Sequence, residues 1–175
     1  WMMDKLMNKF VFGNADKPGV YFDEENRRHL NSIRLAYAQA AGNLADANRK
    51  EDAKKLLHRC DNMMLEQNFP YGMVSRQQQH NQIALQFMYA AYKAGDTVLA
   101  QKISREVKKD MEQQAIYYQS LSDNKRDFLS TEEERNDNLL KALMGMEQQF
   151  KNQPPPVENS GEIKTQAVKP DSPKH

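Results

Sequence analysis

The chain carries a single cysteine, Cys60, among 175 residues. That excludes an internal disulfide framework and any zinc cage built from several thiolates. Neither sign of charge is in excess, with 25 Lys and Arg against 24 Asp and Glu and a formal net charge of +1. A protein that holds nucleic acid by its phosphates shows a basic stripe, so the balance argues against a nucleic-acid partner. Long apolar runs are missing too: nothing approaches the roughly 18–20 residues of a membrane-spanning helix. Phosphate-loop, dinucleotide and nucleophile-elbow patterns (G-x-x-x-x-G-K, G-x-G-x-x-G, G-x-S-x-G) do not occur. There is no charged-then-apolar secretory signal, and the opening residue Trp1 suggests a piece of a longer protein. Mean hydropathy is −0.91, polar, although 39% hydrophobic residues suffice for a core.

Proline and glycine are scarce where they would break helices. Between Glu24 and Lys151 the only proline is Pro70, whereas five of the seven lie in the last 22 residues. Residues 152–175 mix Pro, Ser, Gly, Lys and Glu without apolar periodicity, which predicts a disordered tail. The chain then divides into an extended lead-in over 1–22, a helical domain over 23–151 and the tail. Methionine is plentiful at ten residues, a flexible filler suited to gaps between packed helices.

Apolar spacing predicts about five helices and no strand. Leu30, Ile33, Tyr37, Ala41 and Leu44 form the first stripe, with Asp23 as its N-cap. Arg27 and Arg28 each follow an acid, Asp23 and Glu24, by four residues and are expected to pair with them. Asn48 marks a turn, after which Ala53, Leu56, Leu57, Cys60 and Met64 form the second stripe. The run Asn68-Phe69-Pro70-Tyr71-Gly72 interrupts it, with Gly72 loosening the backbone. Ser75 and Gln78 have capping-box spacing before a third helix bearing Ile83, Ala84, Phe87, Met88, Ala91 and Tyr92. Gly95-Asp96 turns into a fourth helix with Leu99, Ala100, Ile103 and Val107, ending near Leu121. Ser130 and Glu133 repeat the capping-box spacing before a fifth, with Leu139, Leu140, Leu143, Met146 and Phe150.

Helices one and two, and three and four, are thus antiparallel hairpins on short turns. Each turn residue, Asn48 or Gly95, stands five positions before a small residue, Ala53 or Ala100. This resembles the turn of tetratricopeptide repeats, where the small residue lets two helices approach closely. The alanines are 47 residues apart, against about 34 in a standard repeat, so the repeats are degenerate. An ordinary helical bundle is the plainer alternative.

Side chains offer little chemistry. His58 and Cys60, two apart on a helix, point to different faces and do not form a nucleophile–base pair. His29, His58 and His80 lack the spacing that brings two ligands to one metal. No catalytic, cofactor-binding or metal-binding residue is assigned, and no cofactor is implied. Glu132-Glu133-Glu134 suits the first turn of a helix, and Lys102, Arg105, Lys108 and Lys109 suit a solvated face. Two groups stand out instead. Phe69, Tyr71, Arg76, Gln77 and His80 combine an aromatic loop with polar groups at a helix start, a candidate partner-binding edge. Asp23, Glu24, Arg27 and Arg28 form either structural ion pairs or an anchor for the preceding loop or a neighbouring domain.

A broader resemblance rests on Met7-Asn8-Lys9-Phe10-Val11-Phe12-Gly13-Asn14, Pro18-Gly19-Val20-Tyr21-Phe22-Asp23-Glu24, Arg27-Arg28, Phe69-Pro70-Tyr71 and Ala94-Gly95-Asp96. Over about residues 7–121 the chain resembles the C-terminal region of bacterial multi-pass membrane proteins of unknown function. That family is related to the vertebrate transmembrane protein O-mannosyltransferase. The resemblance implies a soluble helical-repeat part following the last membrane span of a glycosyltransferase-like parent, on the extracytoplasmic (periplasmic) side. It places the parent's catalytic acid elsewhere. The expected function is a non-catalytic module that binds or positions a protein or glycan partner and meets the membrane-embedded part of its own chain. The lead-in residues Trp1, Met2, Met3, Leu6, Met7, Phe10 and Phe12 would then pack on that membrane part or on this domain's own helices. Two rival readings are a free-standing adaptor with tetratricopeptide-like repeats and a small helical enzyme with a cryptic site.

Overall fold

The computed structural model describes residues 2–151; Trp1 and the tail expected over 152–175 lie outside the described residues. Among the described residues there is no strand, and the fold is all-α. In chain order the helices are α1 (Met2–Asn8), α2 (Glu24–Asp46), α3 (Lys50–Met63), α4 (Gln79–Ala94), α5 (Thr97–Gln119), α6 (Asp123–Phe128) and α7 (Ser130–Lys151). A 3₁₀ turn at Arg76–Gln78 leads into α4. The five helices read from apolar spacing are α2, α3, α4, α5 and α7. At seven and six residues, α1 and α6 are too short to display a stripe.

Helices α2 and α3 pack as one hairpin and α4 and α5 as another, and α4 is central, touching α2, α3, α5 and α7. Its burial explains that position. Ile83, Ala84, Leu85, Phe87, Met88, Ala90, Ala91 and Ala94 are all buried, more than one stripe, as a helix covered on several sides requires. Ala53 and Ala100 are fully buried beside the two turns, and so are Leu56, Leu57, Ile103 and Val107. Each of the four larger side chains contributes about 1.5–3 kcal/mol over leaving it exposed. Met64, Met88 and Met111 are buried, and Met3, Met7, Met63, Met73 and Met146 pack against the same core. Gly95, with φ +76°, closes α4; the Asp96 carboxylate then accepts from the Leu99 N–H at 3.1 Å and opens α5.

The lead-in is not simply extended. It contains α1, and Leu6, Phe12, Ala15 and Phe22 are buried in this domain's own core. Backbone polar groups lock it down: Arg59 Nε donates to the Leu6 carbonyl at 3.0 Å, and Asn68 Nδ2 donates to the Ala15 and Lys17 carbonyls at 3.0 and 2.7 Å. Phe12 stacks obliquely on Tyr37, 5.6 Å between centroids. Of the two placements open to these apolar residues, Leu6 and Phe12 take the one on α2 and α3.

Neither capping box forms as spaced. The Ser75 hydroxyl accepts from the His80 N–H at 2.8 Å, while the side chain of Gln78 turns inward to Gln114. Ser130 donates to the Asp127 carbonyl at 2.8 Å, and Glu133 is drawn to Arg126. Gly72 serves close packing and not looseness: a Cβ there would collide with the Glu106 carbonyl oxygen and lie 2.8 Å from Asp110 Cβ.

Candidate functional site

Segment 65–75, between α3 and the 3₁₀ turn, turns Phe69 and Tyr71 into the interior. Its organiser is Arg34 of α2, whose side chain is 1% exposed. Arg34 Nη2 donates to the Phe69 carbonyl at 2.9 Å and Nη1 to the Pro70 carbonyl at 3.1 Å. The guanidinium is flanked by the Phe69 and Tyr71 rings, each centroid 4.4 Å away, two cation–π contacts shielded from water. Burial pulls the Arg34 pKa down from its ordinary value, opposed by the Tyr71, Cys60, Glu106 and Asp61 groups around it. Tyr71 is tied further: its hydroxyl donates to Asp61 Oδ1 at 2.9 Å, which Lys102 also meets at 2.8 Å. Its N–H donates to Glu106 at 3.2 Å. Burial, with the neighbouring Glu66 carboxylate, raises the Glu106 pKa against the pull of that N–H and of Lys102.

This overturns part of the expected binding edge. Phe69 and His80 are fully buried and Tyr71 is 3% exposed, so Phe69 and Tyr71 face the core, and His80 is covered at the edge of the cleft between α2 and segment 73–80. Two aromatic rings carry a large hydrophobic gain when covered, and the buried cation of Arg34 holds them there. His80 Nε2 donates to the Pro70 carbonyl at 2.7 Å. A carbonyl oxygen only accepts, so Nε2 carries the proton and, in the neutral ring, Nδ1 is the acceptor. Burial pushes the His80 pKa down to about 3, with Arg34 acting the same way.

Arg76 and Gln77 stay on the surface, and here the two sequence candidates converge. Glu24, Arg27 and Arg28 of α2 line the same cleft as Arg76, Gln77 and His80, a space of about 690 Å³ between the start of α2 and segment 73–80. Asn31, Met73, Val74, Ser75 and Gln79 complete it. Three arginines thus border a space that the Glu24 carboxylate also lines, Arg27 being held by the Phe22 carbonyl and Arg28 by Glu25. Arg76 makes no ion pair among the described residues. Asn31 Oδ1 and His80 Nδ1, both on buried side chains, have no hydrogen-bond partner among the described residues. The backbone is strained at the same place: Gln77 and Gln78 have φ of +54° and +58°, costly for side chains other than glycine.

Asp23 caps α2 as expected, accepting from the Asn26 N–H at 2.9 Å. The paired-acid expectation fails for the arginines. Arg28 meets Glu25 at 2.8 Å, and Arg27 Nε donates to the Phe22 carbonyl at 2.8 Å while Nη1 reaches Met73 Sδ at 3.5 Å. Arg27 therefore ties the end of the lead-in to the cleft loop, and Arg28 stays exposed at the cleft's edge. His58 contacts Asp96 at 2.7 Å and takes no part with Cys60, whose thiol burial pushes up to about 12. Among the described residues no group of three His, Cys, Asp or Glu could hold a metal ion, and no helix is long and apolar enough to cross a membrane.

Sequence reading missed Arg34 and Asn31. Both had a signal: Arg34 interrupts the apolar stripe between Leu30 and Tyr37, and Asn31 continues the helical spacing of Glu24, Arg27 and Arg28. Set against protein-family models, curated proteins and solved structures, the chain matches none.

Proposed function

We propose that this chain is a non-catalytic helical interaction module, and that the cleft between α2 and segment 73–80 is where it holds its partner. The observation that carries the reading is the convergence of Arg27, Arg28 and Arg76 on one space that also contains Asn31 and His80. Guanidinium groups present flat, directional donors suited to recognition. Fixing the cleft wall on the caged Arg34 keeps it in register, at the cost of a strained turn that packing must hold. The helices around it resemble tetratricopeptide hairpins in their turns and small residues, a scaffold that presents binding faces. By resemblance we further propose that the module is the extracytoplasmic part of a glycosyltransferase-like membrane protein and binds a protein or glycan.

Benzoylphenylalanine placed at Gln79, an exposed cleft residue, in the full protein within its native cell tests the site. A covalent adduct there supports it. Adducts that form only from Gln86, in the separate groove between α2 and α4, overturn it, as does sugar-donor turnover by this chain alone. The membrane parent is tested by the coding sequence upstream of Trp1: several apolar runs of about 20 residues support it, and a nearby start codon overturns it.

A further inference from the structure

We propose that the groove between α2 and α4 is an internal docking site, and that its occupant is the proline run 154–157 of this same chain. The groove shares no residue with the partner cleft and is argued independently of it. Helices α2 and α4 run side by side in one direction: Arg34 lies beside His80 at one end, and Asp46 pairs with Lys93 at the other. The space between them is about 510 Å³, with a floor of small residues, Ala38, Gly42 and Ala90. Gln39, Asn43 and Gln86 edge it. All three are exposed, and their side chains make no hydrogen bond among the described residues. Tyr89 and Met146 line the side next to α7. Tyr89 stays 37% exposed, although Lys93 lies 5.5 Å from its ring centroid. Gly42 marks the space as one kept open. Glycine is unfavourable inside a helix, and a Cβ there would meet nothing within 4 Å, so no described neighbour requires the gap.

The chain itself delivers an occupant. Phe150, in the last turn of α7, stacks on Tyr92 with centroids 4.6 Å apart and meets the Tyr89 ring at 5.7 Å. Lys151 therefore ends α7 at the Asp46–Lys93 end of the groove. Asn152 and Gln153 follow, then Pro154-Pro155-Pro156-Val157. In the extended left-handed helix that prolines favour, four residues cover about 12 Å. Ala38 to Asp46 along α2 also covers about 12 Å. A run of this kind has no internal hydrogen bonds, so its carbonyls accept from the Gln39, Asn43 and Gln86 amides, and its rings pack on Tyr89. Prolines bring no N–H that would need a partner there. The segment turns back at Asn152 and Gln153 and runs from Lys93 toward Gln86. An outside proline-rich peptide would make the same contacts. A two-residue tether, however, sets an effective concentration on the order of millimolar, which gives the chain's own run the advantage.

A nitroxide attached at Asn159→Cys in the isotope-labelled 175-residue chain tests this by NMR line broadening; Cys60 is buried and stays unlabelled. The expected result is a loss of amide intensity that is strongest around Ala38 and Gln86, the end of the groove far from Lys151. Replacing Pro154, Pro155 and Pro156 together by alanine abolishes that loss. Gly42→Leu, a good helix former that fills the groove, abolishes it separately, and both variants keep the spectrum of the folded chain. Broadening that is strongest at Phe150 and fades with distance overturns the proposal, as does broadening centred on another face. Loss at the far end that survives either variant overturns it as well. Mixing nitroxide-bearing chain with isotope-labelled chain that lacks the nitroxide separates the remaining sources. No broadening in the mixture supports docking within one chain, and equal broadening assigns the groove to the proline run of a second copy and overturns it.

Discussion

Replacing Arg34 by methionine keeps the length and apolar stem of the side chain and removes its charge. The Phe69 carbonyl then loses the donor at 2.9 Å, whereas the Pro70 carbonyl keeps His80 at 2.7 Å. Hydrogen bonds from a charged group contribute about 1.5–3 kcal/mol each, and a stranded buried acceptor costs about 1–3 kcal/mol. Two shielded cation–π contacts add to the loss, about 2 kcal/mol each. Opposing this, a buried cation carries several kcal/mol of desolvation, and apolar replacement of buried charge is often neutral or favourable. We expect the first set to win, because two carbonyls, two ring faces and the nearby Asp61 and Glu106 all compensate the cation. The net loss is about 2–4 kcal/mol. Urea unfolding reads this as a midpoint lowered by roughly 1–3 M at unchanged slope. Arg34→Lys falls between, since an ammonium does not reach both carbonyls in the guanidinium's fork geometry. An Arg34→Met variant as stable as the wild type, or more so, refutes the idea that this cation holds segment 65–75 in place.

Four further outcomes are expected. His80 titrates near 6.5 when unfolded and is pushed down to about 3 in the fold, so the unfolded chain binds more protons between these values. Its contribution is complete above pH 6.5 and is lost as pH falls toward 3, at up to about 1.4 kcal/mol per pH unit; in His80→Gln this part of the slope in acid unfolding disappears. Gln77→Gly relieves a positive φ at an exposed position and raises the melting temperature, a gain of about 1 kcal/mol. Gly72→Ala forces a methyl group against Glu106 and Asp110 and destabilises by roughly 1–3 kcal/mol in thermal unfolding. Cys60, buried with its thiol pKa at about 12, resists a thiol-disulfide reagent in the native protein and reacts once urea unfolds it.

The apolar stripes were legible because helical burial repeats with the helix period: Leu30, Tyr37 and Ala41, then Ala53, Leu56, Leu57 and Cys60, are all buried. Segment 65–75 was not legible, because an aromatic loop that presents Phe69 and Tyr71 to a ligand reads the same as one that plugs the core. The deciding residue, Arg34, lies 35 positions away from Phe69, and single-sequence periodicity carries no information about such pairing. The cleft was half legible. Glu24, Arg27 and Arg28, and separately Arg76, Gln77 and His80, stood out by residue type; their meeting depends on how α2 crosses α4. The left-handed turn at Gln77 and Gln78 had no local signature, since neither glycine nor asparagine marks it.

The cleft as partner site is tested most directly by comparing photo-adducts at Gln79 in the full protein with those in its Arg28→Ala/Arg76→Ala variant. Both arginines are exposed, so their loss should leave the melting temperature within a degree or two, surface changes costing no more than about 0.5 kcal/mol. The account predicts an adduct in the wild type that vanishes in the double variant. An adduct that persists without the two arginines, or none at Gln79 in either protein, contradicts it.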